Sequence, residues 1–364
     1  MEVMEEAAHL ERKGIKIIHL EVGEPDFPTP QCIVRAVQRA LAEGHTRYTH
    51  SLGLPELRSA IAERYKEAVS PPSPDQVVVT SGTSPALVLL FGALLEPGDE
   101  VILPDPYYSC YKNVILFVGG RPVPVPLRPE LGFQFDPDDV KKAITKRTKG
   151  IVINSPSNPT GGVFEPDTLK ALCELGPPII SDEIYHGLVY DCTVKSILTY
   201  TDRAFVIDGF SKRYAMTGWR LGYMVVPSEF TRPIQKLSQN FYISANDFVQ
   251  WAGLAALKEA EPQVRQMARE YDRRRRFLAP QLKQIGFGLP CEGKGAFYLF
   301  ADIRAFGLDS LTFVKRLLHE AHVGAAPGSD FGASGEGFVR FSYANSLENL
   351  ELAVARLQAF VTKL

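Results

Sequence analysis

The stretch AFVIDGFSKRYAMTGWRLGYMVV, residues 204–226, sets two short apolar runs, AFVID and LGYMVV, on either side of a polar segment that carries Lys212 and, further on, Arg220. A strand buried on both faces reads as a continuous apolar run, unlike the in-out alternation of a half-solvated one. Working outward, the same signature recurs in QVVVT, EVILP, RPVPV, GIVIN and PIISD, while ALVLLFGALL and PDTLKALCEL between them have helical spacing. Strands alternating with helices over residues 76–226 predict an α/β fold, a large domain whose mainly parallel seven-stranded sheet is flanked by helices. In such sheets ligands sit beyond the carboxyl ends of the strands. Ser81, Asn158, Asp182 and Lys212 follow QVVVT, GIVIN, PIISD and AFVID in turn, so the polar candidates fall where a site belongs.

The flanks read differently. The amino-terminal segment is expected to form a short helix, then a brief strand within IKIIHLEVGEPDF ahead of a Pro-rich turn, then a helix from Gln31 to Glu43. After about residue 230 helices predominate, one of them long and near 261–284, and KGAFYLFADI opens a smaller α+β region. The expected organisation is a large domain over 45–270 and a discontinuous small α+β domain built from 1–44 and 271–364.

Composition narrows the function classes. A chain of 364 residues with 45% hydrophobic content has the means to bury a large core. The formal net charge of -2 provides no global field for nucleic acid. The one dense basic run, Arg273 to Arg276, is read as the solvated face of the long helix. No run approaches the length of a membrane span and the start lacks the apolar core of a signal peptide, so a cytoplasmic enzyme without membrane partners is expected. The cysteines, Cys32, Cys110, Cys173, Cys192 and Cys291, form no C-x2-C pair, and the histidines include no H-E-x-x-H, so no metal is expected.

A lysine amine is a useful nucleophile or base only where its ordinary pKa of about 10.4 is lowered or bypassed, which condensation with an aldehyde achieves. An arginine nearby suits a phosphate, since its planar fork offers parallel hydrogen bonds and a permanent charge. SGT at 81–83 opens a helix, where free backbone N–H groups favour an anion. Further segments accompany these: GEPDFPTP at 23–30, RYTHSLGLPELR at 47–58, SPSNPTGG at 155–162, SDEIYHGLVY at 181–190 and VRFSYA at 339–344. In this order, and with SK followed by GWRLGY, the chain resembles the class I/II aminotransferases, the fold-type I group of pyridoxal phosphate enzymes, of the aspartate aminotransferase-like kind.

The resemblance implies a role for each residue. Lys212 is the catalytic lysine that binds the cofactor. Asp182 meets the pyridine nitrogen, Asn158 and Tyr185 the phenolic oxygen, and Tyr108 stacks on the ring, with Tyr107 as the alternative. Ser81, Gly82, Thr83 and Arg220 hold the phosphate. Tyr48 reaches the phosphate of a neighbouring subunit, which implies a homodimer with shared active sites. Gly23, Asn158 and Arg340 take the substrate, Arg340 holding its α-carboxylate. The implied reaction moves the amino group of an L-amino acid to a 2-oxo acid, 2-oxoglutarate first among them, by a ping-pong mechanism. The alternatives are a carbon-sulfur β-lyase of the same fold and a ligand-sensing regulator, for which no spare DNA-binding segment is visible.

Two departures from the pattern matter. Gly209 stands where many relatives have a hydroxyl residue that serves the phosphate. Ser84 stands where an aspartate-specific branch has a lysine for a distal carboxylate, and KLSQNFYISANDF offers no arginine in its place. The expectation therefore leans toward neutral or aromatic donors.

Overall fold

The computed structural model describes residues 2–364. After the short β1 (Ile18–His19), seven strands form one sheet: β2 (Val77–Thr80), β3 (Glu100–Asp105), β4 (Arg121–Pro126), β5 (Thr148–Asn154), β6 (Ile179–Asp182), β7 (Ala204–Gly209) and β8 (Gly222–Val225). Their order is β2-β8-β7-β6-β5-β3-β4, and β8 runs antiparallel to both its neighbours while the other pairs are parallel. All seven strands read from the sequence are present.

Successive side chains of a strand point to opposite faces, and here that alternation divides the core in two. Val78, Val152, Ile180, Phe205, Ile207 and Met224 pack into one apolar cluster, and Val77, Val79, Ile151, Ile153, Ile179 and Val206 into the other. Both faces are dry, which is why the strands look uniformly apolar. The exception is β4, with proline at every second position. Those prolines put their missing N–H groups on one side of the strand, which an edge strand leaves unpaired.

Helices α1 (Glu2–Arg12), α2 (Gln31–Ala42) and α3 (Pro55–Glu63) precede the sheet, and α4 (Thr83–Leu94), α5 (Cys110–Phe117), α6 (Pro137–Ala143) and α7 (Pro166–Glu174) connect its strands. Apolar almost all round, α4 is buried under the sheet rather than lying along a wet surface. Beyond the sheet come α8 (Ser228–Phe241), α9 (Asp247–Glu259) and the 25-residue α10 (Glu261–Ile285), which ends at Gly286 in the left-handed conformation that favours glycine.

The remaining strands are β9 (Tyr298–Asp302), β10 (Val323–Gly324), β11 (Ala326–Pro327) and β12 (Phe338–Ser342), accompanied by α11 (Ser310–Arg316) and α12 (Leu347–Val361). Here β1 pairs in parallel with β10, and β11, β12 and β9 form an antiparallel sheet with Arg340 opposite Phe300 and Ala326.

The basic run on α10 differs from its sequence reading. Only Arg273 and Arg276 are on the wet side, whereas Arg274 and Arg275 are buried. Four consecutive helical residues span more than one turn, so some of them must face inward. Arg274 donates to both oxygens of Asp26 at 2.8 and 2.9 Å and stacks over Phe27, tying the Gly23–Phe27 loop to α10.

Candidate active site

At the carboxyl ends of the parallel strands lies a cavity of about 410 Å³. Lys212, three residues past β7, projects into it and donates to the Gly23 carbonyl at 2.6 Å. Burial pushes its amine down to about 8, with the Arg340 and Arg220 charges adding to the shift and those of Glu24 and Asp182 opposing it. Gly23 has no room for a side chain, since a Cβ there would lie 2.8 Å from the Tyr298 hydroxyl. The close approach of this backbone to Lys212 therefore requires glycine, and the clamp between Arg274 and Asp26 holds the loop in place.

Asp182 is the last residue of β6 and is buried. The Tyr111 hydroxyl donates to its Oδ2 at 2.6 Å and the Ile184 N–H to its Oδ1 at 3.2 Å, while burial pushes its carboxyl up to about 6. Asn154, closing β5, donates from Nδ2 to the Asp182 carbonyl at 3.0 Å, and its Oδ1 accepts from the Asn158 N–H at 2.8 Å. Asn158 Oδ1 in turn accepts from Arg340 Nη1 at 2.8 Å. A chain of hydrogen bonds thus runs from the sheet to β12.

Arg340 is buried, with its guanidinium 4.4 Å from the Tyr298 ring centre and 5.0 Å from that of Phe331. Its partners, Asn158 and the Glu21 carbonyl at 2.6 Å, are both neutral, and its Nε has none. A buried cation without an anion is costly, so this geometry is that of a receptor for one. Tyr185 shares a hydrogen bond of 3.0 Å with Tyr298 on the same wall.

At the other end of the cavity α4 begins. Gly82 caps it at φ 106°, and Thr83 and Ser84 of its first turn line the wall. Arg220 lies against Gly82, where a Cβ would stand 2.7 Å from its Nη2, and it also donates to the Thr217 carbonyl at 2.7 Å. Helix dipole, free N–H groups and guanidinium converge on one place, an arrangement that favours an anion. Gly222 lets β8 pass beneath, because a Cβ there would be 2.7 Å from the Gly82 carbonyl carbon. Gly209 has a similar cause, with the Leu221 carbonyl and Gly222 Cα at 3.1 and 3.2 Å from where a side chain would start.

Of the residues singled out in the sequence, Gly23, Thr83, Tyr108, Asn158, Asp182, Tyr185, Lys212, Arg220 and Arg340 line this one cavity. Ser81 and Gly82 stand behind the wall at the head of α4, and Ser84 takes the forward position. Tyr48 is 80% exposed and outside the cavity. Tyr107 turns into the core, its N–H on the Phe331 carbonyl, whereas Tyr108 faces the cavity edge-on to Tyr111. Sequence reasoning missed Tyr111, Tyr298, Asn154 and Glu21. Asn154 was within reach, since it ends the run GIVIN on the edge where ligands sit. Nothing local marks the other three.

Comparison with known proteins agrees with this geometry. The sequence model of the family described as aminotransferase class I and II matches residues 15–357. The chain is 41% identical to the (5-formylfuran-3-yl)methyl phosphate transaminase of Methanocaldococcus jannaschii, over 100% of this chain and 96% of that protein. It is 42% identical to the aspartate/prephenate aminotransferase of Thermus thermophilus, over 96% and 92% of the two chains. Among solved structures, the aromatic aminotransferase of Pyrococcus horikoshii superposes with a TM-score of 0.92 at 38% identity, covering 95% of this chain and 96% of its own. The chain therefore belongs to the class I and II aminotransferases, enzymes of the aspartate aminotransferase type that transfer amino groups with pyridoxal phosphate.

Proposed function

We propose that the cavity around Lys212 is where this chain carries out transamination, with Lys212 as its catalytic residue. The observation that carries the reading is a buried amine, pushed down to about 8, in one cavity with a buried carboxylate, Asp182, and a buried arginine, Arg340, whose partners are neutral. The donors present fit pyridoxal phosphate. Lys212 suits its aldehyde, Asp182 its ring nitrogen, Asn158 and Tyr185 its phenolic oxygen, and Tyr108 its ring face. Ser81, Gly82 and Thr83, with Arg220, suit its phosphate. When bound, the cofactor supplies an electrophilic carbon and an electron-withdrawing ring that acidifies the substrate's α-proton.

The protein's own groups do the rest. Arg340 takes the donor's α-carboxylate through its unpartnered Nε and outer N–H groups, while Asn158 and the Glu21 carbonyl fix the plane of the guanidinium. Lys212, whose lowered basicity makes the free amine far more accessible near neutral pH than in a surface lysine, removes the α-proton. In the second half of the cycle, once the oxo acid has exchanged its carbonyl oxygen, lost as water, for the amino nitrogen that the cofactor would carry, Lys212 returns a proton to the α-carbon of the amino acid being formed. Tyr111 fixes Asp182 in orientation, so the carboxylate meets its partner without reorganising.

The donor is a neutral or aromatic amino acid, since Ser84 supplies no cation for a distal carboxylate; 2-oxoglutarate is the first acceptor to test. Residues 45–270 form the large domain, and 1–44 with 271–364 the small one. The working unit is a homodimer in which Tyr48 serves the neighbouring subunit. In support, Tyr48 lies beside the exposed Phe241, Tyr242 and Ile243, the two segments joined by the Thr49 N–H donating to the Ser244 hydroxyl at 3.3 Å. An exposed apolar patch of this kind marks an interface.

Absorbance spectroscopy tests the reading. Purified protein with pyridoxal phosphate develops the band of the lysine-bound cofactor, Lys212→Ala does not, and single amino acids without acceptor convert the band to the pyridoxamine form. Absence of the band in the unmodified protein overturns the site. Pyruvate and ammonia released from sulfur amino acids would identify a carbon-sulfur β-lyase instead.

A further inference from the structure

Asp105 closes β3 on the edge of the sheet where the site lies, yet it is buried, 4% exposed, and takes no part in lining the cavity. A buried carboxylate that the chemistry does not use needs partners to offset its lost hydration. Those partners are N–H groups of a segment more than 200 residues away. The Ser334 N–H donates to both carboxylate oxygens, at 3.1 and 3.2 Å. Burial pushes the Asp105 carboxyl up, and the N–H and hydroxyl of Ser334 and the N–H of Ala333 oppose that push. Hydrogen bonds to an ionised acceptor are about twice as strong as neutral ones, so this is a firm attachment.

Ser334 belongs to the turn that joins β11 to β12, the hairpin that carries Arg340. Two more contacts fasten the tip of this turn to the end of β3. The Tyr107 N–H donates to the Phe331 carbonyl at 2.7 Å, and Gly332, at φ 115°, passes so close that a Cβ there would collide with Asp105 Oδ1 and stand 2.9 Å from Tyr107 Cε1. The base of the turn is held separately by Glu336, whose carboxylate accepts from the Ser310 N–H and hydroxyl of α11 at 2.7 and 2.8 Å. At the fastened tip sits Phe331, buried, its ring centre 5.0 Å from the Arg340 guanidinium and its side chain on the cavity wall. Asp105 thus connects the sheet that would carry the cofactor to the ring that backs the arginine.

We propose that Asp105 is a positioning residue for transamination: by holding the Phe331–Ser334 turn on the end of β3 it keeps Phe331 against Arg340 and sets the substrate-carboxylate site in register with the sheet. The proposal rests on Arg340 holding the α-carboxylate. Asp105 touches neither substrate nor cofactor, and its effect passes through the turn to Phe331. Without it the Ser334 and Ala333 N–H groups lose their acceptor, the tip of the turn is released, and the ring no longer fixes the guanidinium. The consequence falls on donor binding, because Lys212, Asp182 and Arg220 stand on other elements and keep their own partners.

The test uses the full-length holoenzyme in single-turnover half-reactions with alanine and phenylalanine, each followed over a range of donor concentration. Asp105→Ala is expected to raise the half-saturating concentration of both donors roughly tenfold, while the maximal rate and the absorbance band of the lysine-bound cofactor change little. Asp105→Asn, which keeps an acceptor oxygen for the Ser334 N–H, is expected to recover most of that loss. Phe331→Leu is expected to weaken donor binding comparably, and adding Asp105→Ala to it to bring little further loss, because both changes act through one ring. An unchanged half-saturating concentration in Asp105→Ala, an equal fall in maximal rate or cofactor band, or losses that multiply in the double variant overturns the proposal. Arg340→Lys, measured alongside, keeps the two readings apart: no effect on either donor means that the α-carboxylate site is misassigned, whereas a loss with Arg340→Lys and none with Asp105→Ala sinks only the role of Asp105. Should Asp105→Ala fail to fold, hydrogen exchange in the unmodified holoenzyme decides the matter. The peptide spanning 329–336 is expected to exchange at least several-fold more slowly with saturating butyrate, and an unchanged rate refutes the link between this turn and the Arg340 site.

Discussion

Lys212 owes the lowered basicity of its amine to its position, not to its sequence neighbours. An amine pushed down to about 8 by burial is mostly protonated at pH 7 and mostly free above 8, whereas surface lysines stay protonated to about 10.4. In the cofactor-free protein, reductive methylation of Lys212 followed by mass spectrometry is therefore expected to rise about tenfold per pH unit up to about 8 and then level off, while other lysines keep rising. A Lys212 profile that follows the surface lysines would remove the basis for its role as base. Arg340 makes a different demand, because its fork is held flat by Asn158 and Glu21 and stacked on Tyr298 and Phe331. Lysine keeps the charge but loses the fork, so Arg340→Lys is expected to raise KM for amino donors by roughly 10- to 100-fold, about 1.4 kcal/mol per decade, with a smaller effect on kcat. Single-turnover titration against donor concentration measures both.

Among the elements, the junction of β8 with the start of α4 is the tightest. Gly222 faces the Gly82 carbonyl carbon across a gap that a methyl group cannot enter, and the blocking atoms are backbone, which cannot swing aside. Gly222→Ala is expected to cost about 1–3 kcal/mol in chemical denaturation and, by displacing the α4 amino end from Arg220, to weaken cofactor binding. Wild-type affinity in this variant would show that the phosphate seat lies elsewhere. The elements were the most legible part of the sequence, because a strand buried on both faces leaves an unmistakable apolar run and β7 to Lys212 is a local connection. What stayed hidden is what topology alone assembles. Tyr111 meets Asp182, Tyr298 meets Tyr185 and Glu21 meets Arg340 across wide sequence gaps, and no periodicity encodes such meetings. The buried pair Arg274 and Arg275 was masked for another reason, since a run of four arginines looks solvated until the helix's angular step turns some of them inward.

For the whole molecule, the open question is how many chains make one site. Arg220 is exposed, and Tyr48, itself exposed like Phe241 to Ile243, does not line its own cavity. If Tyr48 serves a neighbour, the defect it causes must be separable by subunit from a defect in Lys212. Tyr48→Ala chains contribute an intact Lys212 but no tyrosine, and Lys212→Ala chains the reverse. In a mixed dimer, one cavity then receives Lys212 from the first chain and Tyr48 from the second and is complete, while the other lacks both. Co-unfolding and refolding equal amounts yields about half mixed dimers, each with one working site of two, so activity is expected to recover to about a quarter of the unmodified level from two weak or inactive parents. If Tyr48 works within its own chain, no mixed dimer contains a complete site and mixing recovers nothing beyond the average of the parents. Sedimentation of the mixture at each stage reports whether dimers formed at all, so a failure of assembly is not mistaken for a failure of sharing.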